Sequence, residues 1–494
     1  MELKVHLLKW SAGVPVAMIN VEKAELMGIH GNDRISIEKL SDEGGEFSTI
    51  VDLVEKIVKE DEIGISSEIK EILNLENGQK VDVNLAESPL SLDYIRKKVD
   101  NKRLSKREIK VIINDIVSNS LSDPEVALFI SGMYENGMDF KETVDLIKAF
   151  LESGEILSFK EKFVVDKHCI GGIPGNRTTP IVVSICAAAG LTVPKSSSKA
   201  ITSAAGTADI IGAIAKIEFS KEELKKIISK TGACMIWGGS IELVPADSRI
   251  IRIEKMLKID PRAQLLASIM SKKLAVGSKY ILIDIPYGKN AKVNKKEGLR
   301  LKKDFEKLGK YFKLKLRVVL TKGNEPIGNG VGPFLELTDV IKVLNLSKDA
   351  PEDLKTKSLF LSGQMLEMTG KAKKGEGLKL ANEILHSGKA FEKFLQIIKA
   401  QKGNIKYMEF GKFRKDMLSK TKGRISEINN VKINFLARIA GCPMDKSSGL
   451  YIHSHVGKKV NKGEKILTIY SESKPRLKEA LRYYEREKPI KIVK

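Results

Sequence analysis

The sequence contains little of what marks membrane, secreted and nucleic-acid-binding proteins. No apolar run reaches about 18 residues, so we expect no membrane-spanning helix. The first residues, MELKVHLLKW, hold too short an apolar stretch for a signal peptide. Aromatic residues make up 6% of the 494 residues, and no basic block is interleaved with them. These absences favour a soluble cytoplasmic protein that binds neither a membrane nor a nucleic acid.

Cysteine and histidine patterns are equally sparse. The four cysteines are far apart and show no CxxC spacing, which is typical of a reducing cytoplasm. None of the six histidines belongs to an HExxH motif. His453 and His455 flank Ser454 on a predicted strand, so their side chains would point to the same face. They are either a pair that binds a metal or part of an ordinary exposed strand face. The second is favoured, and we expect no metal and no organic cofactor.

The charge of the chain is strongly positive. There are 85 lysines and arginines against 63 aspartates and glutamates, which gives a net charge of +22. Such a balance suits nucleic acids, membrane surfaces or anionic metabolites. The lysines are spread along the whole chain, mostly beside glutamates in helix-like segments, and we interpret most of them as solvated helix faces. A basic nucleic-acid-binding protein remains the alternative from a different class.

The chain is long enough for roughly three domains of ordinary size. The predicted fold class is multidomain α/β: a β-rich N-terminal domain, a helical domain, a mostly parallel α/β sheet domain and an α+β C-terminal domain. The predicted boundaries are 1–88 for the barrel-like N-terminal domain, 89–160 for the helical domain (with part of 191–220 as a candidate addition), 161–345 for the phosphate- and substrate-binding α/β domain, 346–408 for a helical connection and 409–494 for the C-terminal domain.

Local signals support this organisation. Several helices begin with a capping box, in which serine or aspartate is followed three residues later by glutamate. The boxes start at Ser105, Ser122, Asp139 and Ser220. Short apolar runs alternate with helical patterns in the middle of the chain, which predicts a mostly parallel sheet. These runs are 163–166, 191–195, 233–238, 280–285 and 314–321.

Near the C-terminus, short strands and the glycine turns Gly457 and Gly463 resemble the folded hammerhead of lipoyl-like domains. Met444-Asp445-Lys446 is similar to the tripeptide that holds a carrier lysine. One tripeptide is weak support for a swinging arm, so we favour a structural domain.

A loop with three glycines, VDKHCIGGIPGNRTTP, joins a predicted strand to a predicted helix. Thr179 can cap that helix, Pro180 suits its first turn, and Gly190 suits its end. Glycine lets backbone N–H groups approach a ligand, and a helix N-terminus favours an anion. Lys167 adds a positive charge. The loop is either an anion cradle or a tight turn without a ligand.

Similar loops follow other predicted strands. Lys195–Thr207 is dense in hydroxyl groups and runs into a helix, and 284–292 ends a strand in a glycine loop with lysines. Hydroxyls and backbone N–H groups at a helix start suit phosphate oxygens. Ser268 and Lys272 are four residues apart and share one helix face. A site for one or two phosphates is the hypothesis, with Asp260 either an acid or a helix cap.

Together, the motifs VDKHxxGG, AAGTAD, PAD and ASIMSKK resemble those of the thymidine and pyrimidine-nucleoside phosphorylase family. The fuller forms GGIPGN, PKSSSKAITSAAGTADI, WGG, PADS and ASIMSKKLAVGSKYILIDIPYG, together with an extra N-terminal domain, are most similar to its archaeal branch, which acts on nucleoside 5′-monophosphates. The resemblance covers essentially the whole chain.

The resemblance implies reversible phosphorolysis of AMP, with CMP, UMP and other nucleoside 5′-monophosphates as further candidates. Phosphate would attack the anomeric carbon, and free base and ribose 1,5-bisphosphate would result. The alternative within the family is phosphorolysis of thymidine or pyrimidine nucleosides, which needs no pocket for a 5′-phosphate. Inorganic phosphate is the implied co-substrate, and a homodimer or larger homo-oligomer is expected.

The resemblance also implies roles for individual residues. Asp260 would protonate the leaving base, so it must hold a proton near neutral pH through burial or a nearby anion such as substrate phosphate. The implied nucleotide contacts are Gly172, Ser198, Lys199, Ala200, Ile201, Thr202, Ser203, Thr207, Ser268 and Lys292. The implied residues for inorganic phosphate are Lys167, His168, Ser197 and Lys272. His168 could instead pack beneath the loop.

The sequence departs from the family pattern at three places. Cys169 occupies a position where serine is usual, and a thiol is a weak hydrogen-bond donor. The glycine loop has one residue more before Thr178-Thr179 than in the nucleoside enzymes, which weakens the match of Thr179 to a phosphate ligand. The family's pyrimidine-gripping arginine has no clean match, because Arg249 and Arg252 are both near. That absence fits a base other than thymine or uracil.

Overall fold

The structure is a computed structural model that describes residues 1–8, 15–40, 45–200, 203–239, 243–405 and 408–494. The chain forms two compact units. Unit 1 is Met1–Ser153 with Pro245–Ser268, and unit 2 is Gly154–Val244 with Ile269–Lys494. This division is coarser than the five domains predicted from the sequence, whose boundaries stay predictions. None of the helices in the described residues is long and apolar enough to span a bilayer.

The first part of unit 1 is a closed barrel of strands. Its elements are β1 (Glu2–Leu7), β2 (Ala17–Asn20), α1 (Val21–Met27), β3 (Arg34–Lys39), β4 (Glu46–Val54), β5 (Glu62–Ile65), α2 (Ser67–Leu73) and β6 (Lys80–Leu85). The strand order around the barrel is β1-β5-β2-β4-β3-β6. Alternate side chains such as Leu3 and Val5 on β1, or Ile35 and Ile37 on β3, fill its interior.

The second part of unit 1 is a helical bundle, as predicted. Its helices are α3 (Ser91–Val99), α4 (Lys106–Val117), α5 (Asp123–Asn136), α6 (Phe140–Glu152) and α10 (Pro245–Leu257), while α11 (Arg262–Ala275) begins in unit 1 and ends in unit 2. In each predicted capping box the glutamate carboxylate accepts a hydrogen bond from the N–H of the capping residue: Glu108 from Ser105, Glu125 from Ser122 and Glu142 from Asp139. Because α10 packs against α4 and α5, residues 245–257 complete the bundle, whereas 191–220 lie in unit 2.

Unit 2 is built on parallel strands. These are β7 (Val165–Cys169), β8 (Val193–Ser197), β9 (Ala233–Trp237), β10 (Tyr280–Tyr287) and β11 (Lys315–Lys322). The order is β11-β10-β7 in one group and β8-β9 in the other, and a parallel bridge between Val164 and Thr192 joins the groups. Every pairing among these strands is parallel. The predicted mostly parallel sheet is confirmed.

Helices pack against this sheet. They are α7 (Thr178–Ala188), α8 (Thr207–Ile211), α9 (Lys221–Thr231), α12 (Lys295–Tyr311), α13 (Pro333–Leu344), α14 (Glu352–Met368), α15 (Gly377–His386) and α16 (Lys389–Ala400). α7 and α14 pack on each other and share one apolar cluster with Val165 of β7 and Leu282 of β10. One face of these two strands is therefore turned towards α7 and α14.

Strand β7 runs further than the predicted strand at 163–166. A polar run such as Asp166 to His168 is unusual in a buried strand. The strand continues because Asp166 has two buried ammonium partners, Lys195 Nζ at 3.0 Å and Lys273 Nζ at 2.6 Å. Charges that are paired can be buried where isolated charges cannot.

Helix α7 begins two residues earlier than the sequence predicts. The prediction that Thr179 caps this helix is wrong: the helix starts at Thr178, and Arg177 occupies the cap position. Both threonines therefore lie in the first turn, where their hydroxyls accept hydrogen bonds from Lys167. Gly190, with a φ of +78°, follows the end of the helix as predicted.

The C-terminal module of unit 2 is an antiparallel α+β structure, as predicted. Its elements are β12 (Gly330–Val331), β13 (Phe413–Leu418), β14 (Gly423–Ile428), α17 (Asn430–Ala440), β15 (Gly449–Ile452), β16 (Lys459–Val460), β17 (Lys465–Ser471), α18 (Lys474–Glu487) and β18 (Ile490–Val493). The strands form two sheets with the orders β12-β15-β17-β13 and β16-β14-β18.

The two histidines of this module lie after β15, not on a strand as predicted. His453 Nε2 is 2.8 Å from Thr468 Oγ1, and His455 Nδ1 is 3.2 Å from Glu325 Oε2. Their hydrogen bonds to different partners fix them separately. No group of side chains suited to holding a metal ion occurs there or elsewhere in the described part of the chain.

The loop between β7 and α7 contains two adjacent glycines in different surroundings. Gly171 and Gly172 have φ angles of +88° and +90°, which L-residues rarely adopt. A Cβ atom at Gly171 would meet nothing within 4 Å, whereas one at Gly172 would lie 2.9 Å from Lys292 Cβ and 3.0 Å from Lys292 N. Gly172 thus lets this loop lie against the backbone of the loop after β10.

We predict that Gly172→Ala destabilises unit 2 more than Gly171→Ala does. Both variants place an L-residue at positive φ, which costs roughly 1–2 kcal/mol. Only Gly172→Ala must also displace the backbone at Lys292, so we expect at least about 1 kcal/mol of additional destabilisation. Thermal unfolding of the full chain measures both, with Gly171→Ala as the matched control. Equal shifts of the two melting temperatures would contradict the proposed role of the close approach.

Candidate active site

Lys167 is the middle residue of β7 and is almost fully buried. Its Nζ is 2.7 Å from Thr178 Oγ1 and 3.4 Å from Thr179 Oγ1 at the start of α7. Among the described residues, no carboxylate oxygen lies within ion-pair distance of this ammonium group. Burial lowers the pKa of Lys167 to about 8, against the opposing attraction of Cys169 and Asp284. The group is a buried cation whose nearest partners are neutral hydroxyls at a helix N-terminus.

A second cationic cluster surrounds Asp166, which is adjacent to Lys167 on β7 and points to the opposite face. Asp166 is fully buried and holds both Lys195 and Lys273. Burial lowers the pKa of Lys273 to about 7, with Asp166 opposing the shift. Burial and the surrounding lysines, Lys273 first, hold the pKa of His168 well below its ordinary value, so this imidazole is neutral at neutral pH.

Four buried lysines and two buried aspartates lie on and around β7 and β10. Asp166 holds two ammonium groups, and Asp284 lies 3.0 Å from the ammonium group of Lys357. Lys167 is the fourth lysine, and it has no carboxylate of its own. When all of these groups are ionised, four lysines face two aspartates. Such an excess of buried positive charge is suited to binding an anion.

The hydroxyl-rich loop after β8 is organised by a carboxylate. Asp209 Oδ2 accepts hydrogen bonds from the backbone N–H groups of Ala200 at 2.6 Å and Gly206 at 2.7 Å, which closes the loop on itself. Within the loop, Ser203 Oγ donates to the Ala205 carbonyl at 2.8 Å. The predicted contacts Ile201 and Thr202 lie outside the described residues.

Arg177 fixes the end of this loop to the glycine loop. Its Nε donates to Glu336 Oε2 at 2.6 Å, its Nη1 to Thr207 Oγ1 at 3.3 Å, and its Nη2 to the Ala205 carbonyl at 2.6 Å. Burial raises the pKa of Glu336, and the guanidinium opposes that rise. One buried arginine thus connects the segment before α7 with the segment before α8.

Ser197 ends β8, and Lys199 follows two residues later in the hydroxyl loop. Lys199 is exposed, with its Nζ 3.8 Å from the centroid of the Trp237 ring and 3.5 Å from Glu218 Oε1. This is a cation–π geometry. Ser197 Oγ donates to the Ile236 carbonyl at 3.2 Å, which ties β8 to β9.

Two predicted residues, Asp260 and Ser268, belong to unit 1. Asp260 lies in the connection between α10 and α11, and its side chain is exposed, so burial, one of the two alternatives given for this carboxyl, is not found. Ser268 is buried on α11. Lys272, four residues further along the same helix, belongs to unit 2.

The two arginine candidates for a base contact hold the bundle together. Arg249 donates to the carbonyl oxygens of Ile116 at 2.8 Å and of Leu121. Arg252 Nη2 is 2.9 Å and 3.0 Å from the two carboxylate oxygens of Asp123. Both side chains thus have structural partners within unit 1.

Several residues that shape these loops were missed by the sequence analysis. Asp209 lies inside the quoted AAGTAD motif and Arg177 inside the glycine loop, so both were available as signals. Glu336 and Lys357 carried no local signal, because each acts through a partner far away in the sequence.

Family models match three parts of the chain. The helical bundle domain of a glycosyl transferase family matches residues 92–154, and the a/b domain of a glycosyl transferase family matches 161–307. The pyrimidine nucleoside phosphorylase C-terminal domain matches 424–491. These matches agree with the bundle, the parallel sheet and the C-terminal module described above.

A solved structure of anthranilate phosphoribosyltransferase from Thermus thermophilus is similar in fold, with a TM-score of 0.52 and 17% identity. The similarity covers 63% of this chain and 100% of that one. At this identity the likeness bears on the fold alone.

Curated relatives match along nearly the whole chain. AMP phosphorylase from Methanococcus vannielii is 40% identical over 494 residues, which cover 99% of this chain and 97% of the relative. AMP phosphorylase from Pyrococcus furiosus is 42% identical with the same coverage, and that from Thermococcus kodakarensis is 42% identical over 100% of this chain and 98% of its own. The chain therefore belongs to the AMP phosphorylase branch of the thymidine and pyrimidine-nucleoside phosphorylase family.

Proposed function

We propose that this protein catalyses the reversible phosphorolysis of AMP, which yields adenine and ribose 1,5-bisphosphate. The observation that carries the proposal is the identity of 40–42% to proteins named AMP phosphorylase over at least 99% of the chain. The buried excess of lysine around β7 supports a reaction between two phosphate-bearing substrates. Neither the pyrimidine-nucleoside alternative nor the nucleic-acid alternative has comparable support. CMP, UMP and other nucleoside 5′-monophosphates remain candidate substrates.

The reaction requires an anion at the sugar and a proton at the base. A phosphate oxygen forms a bond to C1′ while the bond from C1′ to the base nitrogen breaks, and the electron pair of that bond leaves with the base. Holding phosphate in line with C1′ removes much of the entropic barrier. Protonation of the base as it leaves prevents negative charge from building up on the ring.

Inorganic phosphate is assigned to Lys167, His168, Ser197 and Lys272. Support comes from Lys167, whose ammonium group has hydroxyl partners in place of a carboxylate. A phosphate there would also meet the N-terminus of α7. The neutral imidazole of His168 can donate one hydrogen bond to the anion or to a sugar hydroxyl.

The nucleotide is assigned to Gly172, Thr207, Ser268, Lys292 and the loop from Ser198 to Ser203. Gly172 and Lys292 are in close backbone contact, and Asp209 and Arg177 bind the backbone of Ala200, Ala205 and Gly206. Hydroxyl and backbone donors of this kind suit phosphate oxygens.

Cys169 departs from the serine that is usual at its position. Its Sγ accepts hydrogen bonds from the Gly171 N–H at 3.4 Å and from Asn176 Nδ2 at 3.3 Å. Burial raises the pKa of this thiol, and Asp284 adds to the rise, so the group stays neutral at neutral pH. Any hydrogen bond from Cys169 to phosphate would be that of a weak thiol donor.

Asp260 is assigned the proton transfer to the base. Its exposure removes burial as the reason that this carboxyl would hold a proton. A substrate phosphate nearby would supply the alternative reason, because a second negative charge disfavours ionisation.

The C-terminal module is assigned a structural role with a hammerhead-like arrangement of strands. Lys446 Nζ donates to the carbonyl of Gly212 in the α/β part of unit 2 at 3.0 Å. A lysine engaged in this way supports packing between segments more than a swinging arm. We further propose that the enzyme works in the cytoplasm as a homodimer or larger homo-oligomer, and that it uses phosphate without a metal or an organic cofactor.

We predict phosphate-dependent release of adenine from AMP and none from adenosine, because the proposed contacts include the 5′-phosphate. Asp260→Asn is expected to lower kcat by about 10²–10⁴-fold, since an amide cannot donate the required proton to the base. Chromatographic detection of free base, with AMP, adenosine, thymidine and uridine in parallel, measures both effects.

The matched control for Asp260→Asn is Asp100→Asn, which removes an exposed carboxylate of the same unit and should leave kcat unchanged. Release of base from thymidine or uridine alone would contradict the AMP assignment. Full activity of Asp260→Asn would remove Asp260 from the proton transfer.

We also predict that the KM for phosphate rises above pH 8. The pKa of Lys167 is lowered to about 8, so the ammonium form is present below that pH and is lost above it. KM is expected to increase by up to about tenfold per pH unit. Phosphate is already dianionic in this range, so its own ionisation does not produce the trend.

Two variants separate Lys167 from general effects of pH. Lys167→Met should give a high KM that no longer changes between pH 8 and 9.5. Lys221→Met, which removes an exposed lysine paired with Glu155, should keep the dependence of the parent enzyme. A KM that rises equally in Lys167→Met would show that another group titrates.

A further inference from the structure

Lys357 lies on α14 and is not among the residues predicted to touch a substrate. Its side chain is 9% exposed, and its Nζ lies 3.0 Å from Asp284 Oδ2 on β10. The other carboxylate oxygen of Asp284 accepts a hydrogen bond from Thr321 Oγ1 on β11 at 2.7 Å. Asp284 itself is fully buried. The position of this carboxylate is therefore fixed from two sides.

Asp284 and Lys167 point to the same face of the sheet. β7 and β10 are neighbours, with Lys167 opposite Leu282 and Cys169 opposite Asp284. Side chains alternate along a strand, so Lys167 shares its face with Val165, and Asp284 shares its face with Leu282. Val165 and Leu282 belong to one apolar cluster with α7 and α14. Lys167, Asp284 and Lys357 thus occupy the same layer between the sheet and these helices.

Groups from five elements act on Lys167. Thr178 and Thr179 on α7 accept hydrogen bonds from its ammonium group. The pKa of Lys167 also depends on Cys169 on β7, Asp284 on β10, Lys357 on α14 and Lys195 on β8. Cys169 is a neutral thiol at neutral pH because burial raises its pKa. Asp284 is therefore the negative charge in this set that attracts Lys167, and Lys357 competes for it.

We propose that Lys357 and Asp284 form a positioning pair that sets how strongly Lys167 attracts phosphate. The carboxylate of Asp284 stabilises the charged form of Lys167. Lys357 attracts the same carboxylate and so weakens its attraction for Lys167, and the ammonium group of Lys167 stays available to an incoming anion. The pair acts through Lys167 and needs no contact with phosphate. The inference rests on the proposed function, since it assigns a phosphate to Lys167.

The two members of the pair should have opposite effects on the pH at which phosphate binding is lost. Asp284→Asn removes the attracting charge, so Lys167 loses its proton at lower pH. Lys357→Met removes a charge that repels Lys167 and that competes with it for Asp284, so Lys167 loses its proton at higher pH. Lys357→Met also leaves Asp284 without its cation, which should weaken phosphate binding at every pH.

The test is calorimetric titration of the full chain with inorganic phosphate from pH 6.5 to 9.5. The expected shift of the alkaline midpoint of binding is roughly half to one pH unit downwards in Asp284→Asn and upwards in Lys357→Met. A merely structural role would lower affinity without moving the midpoints in opposite directions. Unmoved midpoints, or shifts of the same sign, in folded variants would overturn the proposal.

Matched variants keep the test decisive. Lys357→Arg retains the cation and should keep the parent midpoint. Lys355→Met removes a lysine of the same helix that pairs with Glu352 and should change neither affinity nor midpoint. If Lys357→Met does not fold, Asp284→Asn still tests the proposal, because this change is almost isosteric. The direction in which its midpoint shifts then supports or overturns the pair.

The outcome is distinguishable from a failure of the proposed function. Calorimetry requires no turnover, so opposite shifts of the midpoints would support the pair even if AMP were not cleaved. Absence of phosphate binding by the parent protein over the whole pH range would overturn both the pair and the phosphate assignment. AMP cleavage with unmoved midpoints would overturn the pair alone.

Discussion

The α/β part of this chain depends on burying ammonium groups beside its parallel strands. An isolated buried cation is strongly disfavoured, and lysine in such a place either loses its proton or acquires partners. Asp166 supplies partners for Lys195 and Lys273, and Asp284 supplies one for Lys357. Lys167 is the exception, with hydroxyls where a carboxylate would be expected. That exception is the basis on which phosphate is assigned to Lys167.

Other features of unit 2 follow from this constraint. β7 can carry three polar residues in a row because Asp166 is neutralised on one face, while Lys167 meets the first turn of α7 on the other. The glycine loop after β7 passes close to Lys292, where a side chain at Gly172 would not fit. The same loop continues into Arg177, which holds the hydroxyl loop in place through Thr207 and Ala205.

Local rules predicted the regular elements well. The capping boxes at Ser105, Asp139 and Ser220 form as predicted, because each needs only residues three positions apart. The extent of β7 was not predictable in this way, since Asp166 depends on Lys273, which is 107 residues away. Arg177 and Glu336 are 159 residues apart, so their ion pair left no local pattern.

In the candidate site, too, some features could be predicted from neighbouring residues, and others depend on residues far away in the sequence. Glycine loops, hydroxyls and lysines after strands indicated phosphate, since these residue types act through the backbone beside them. The network that sets their charge, from Asp284 to Lys357, depends on helices packed from later in the chain. The role of Asp260 came from family resemblance, and its exposed position shows why residue environment alone would not have selected it.

The central claim is that Lys167 and the first turn of α7 hold the phosphate that attacks the sugar. Crystals of the protein soaked in arsenate at neutral pH test this most directly, because arsenic gives an anomalous signal and arsenate has the shape and charge of phosphate. The expected result is an arsenic peak within hydrogen-bonding reach of Lys167 Nζ and the Thr179 hydroxyl, absent in Lys167→Met. An ordered arsenate elsewhere in unit 2, with none beside Lys167, would contradict the claim.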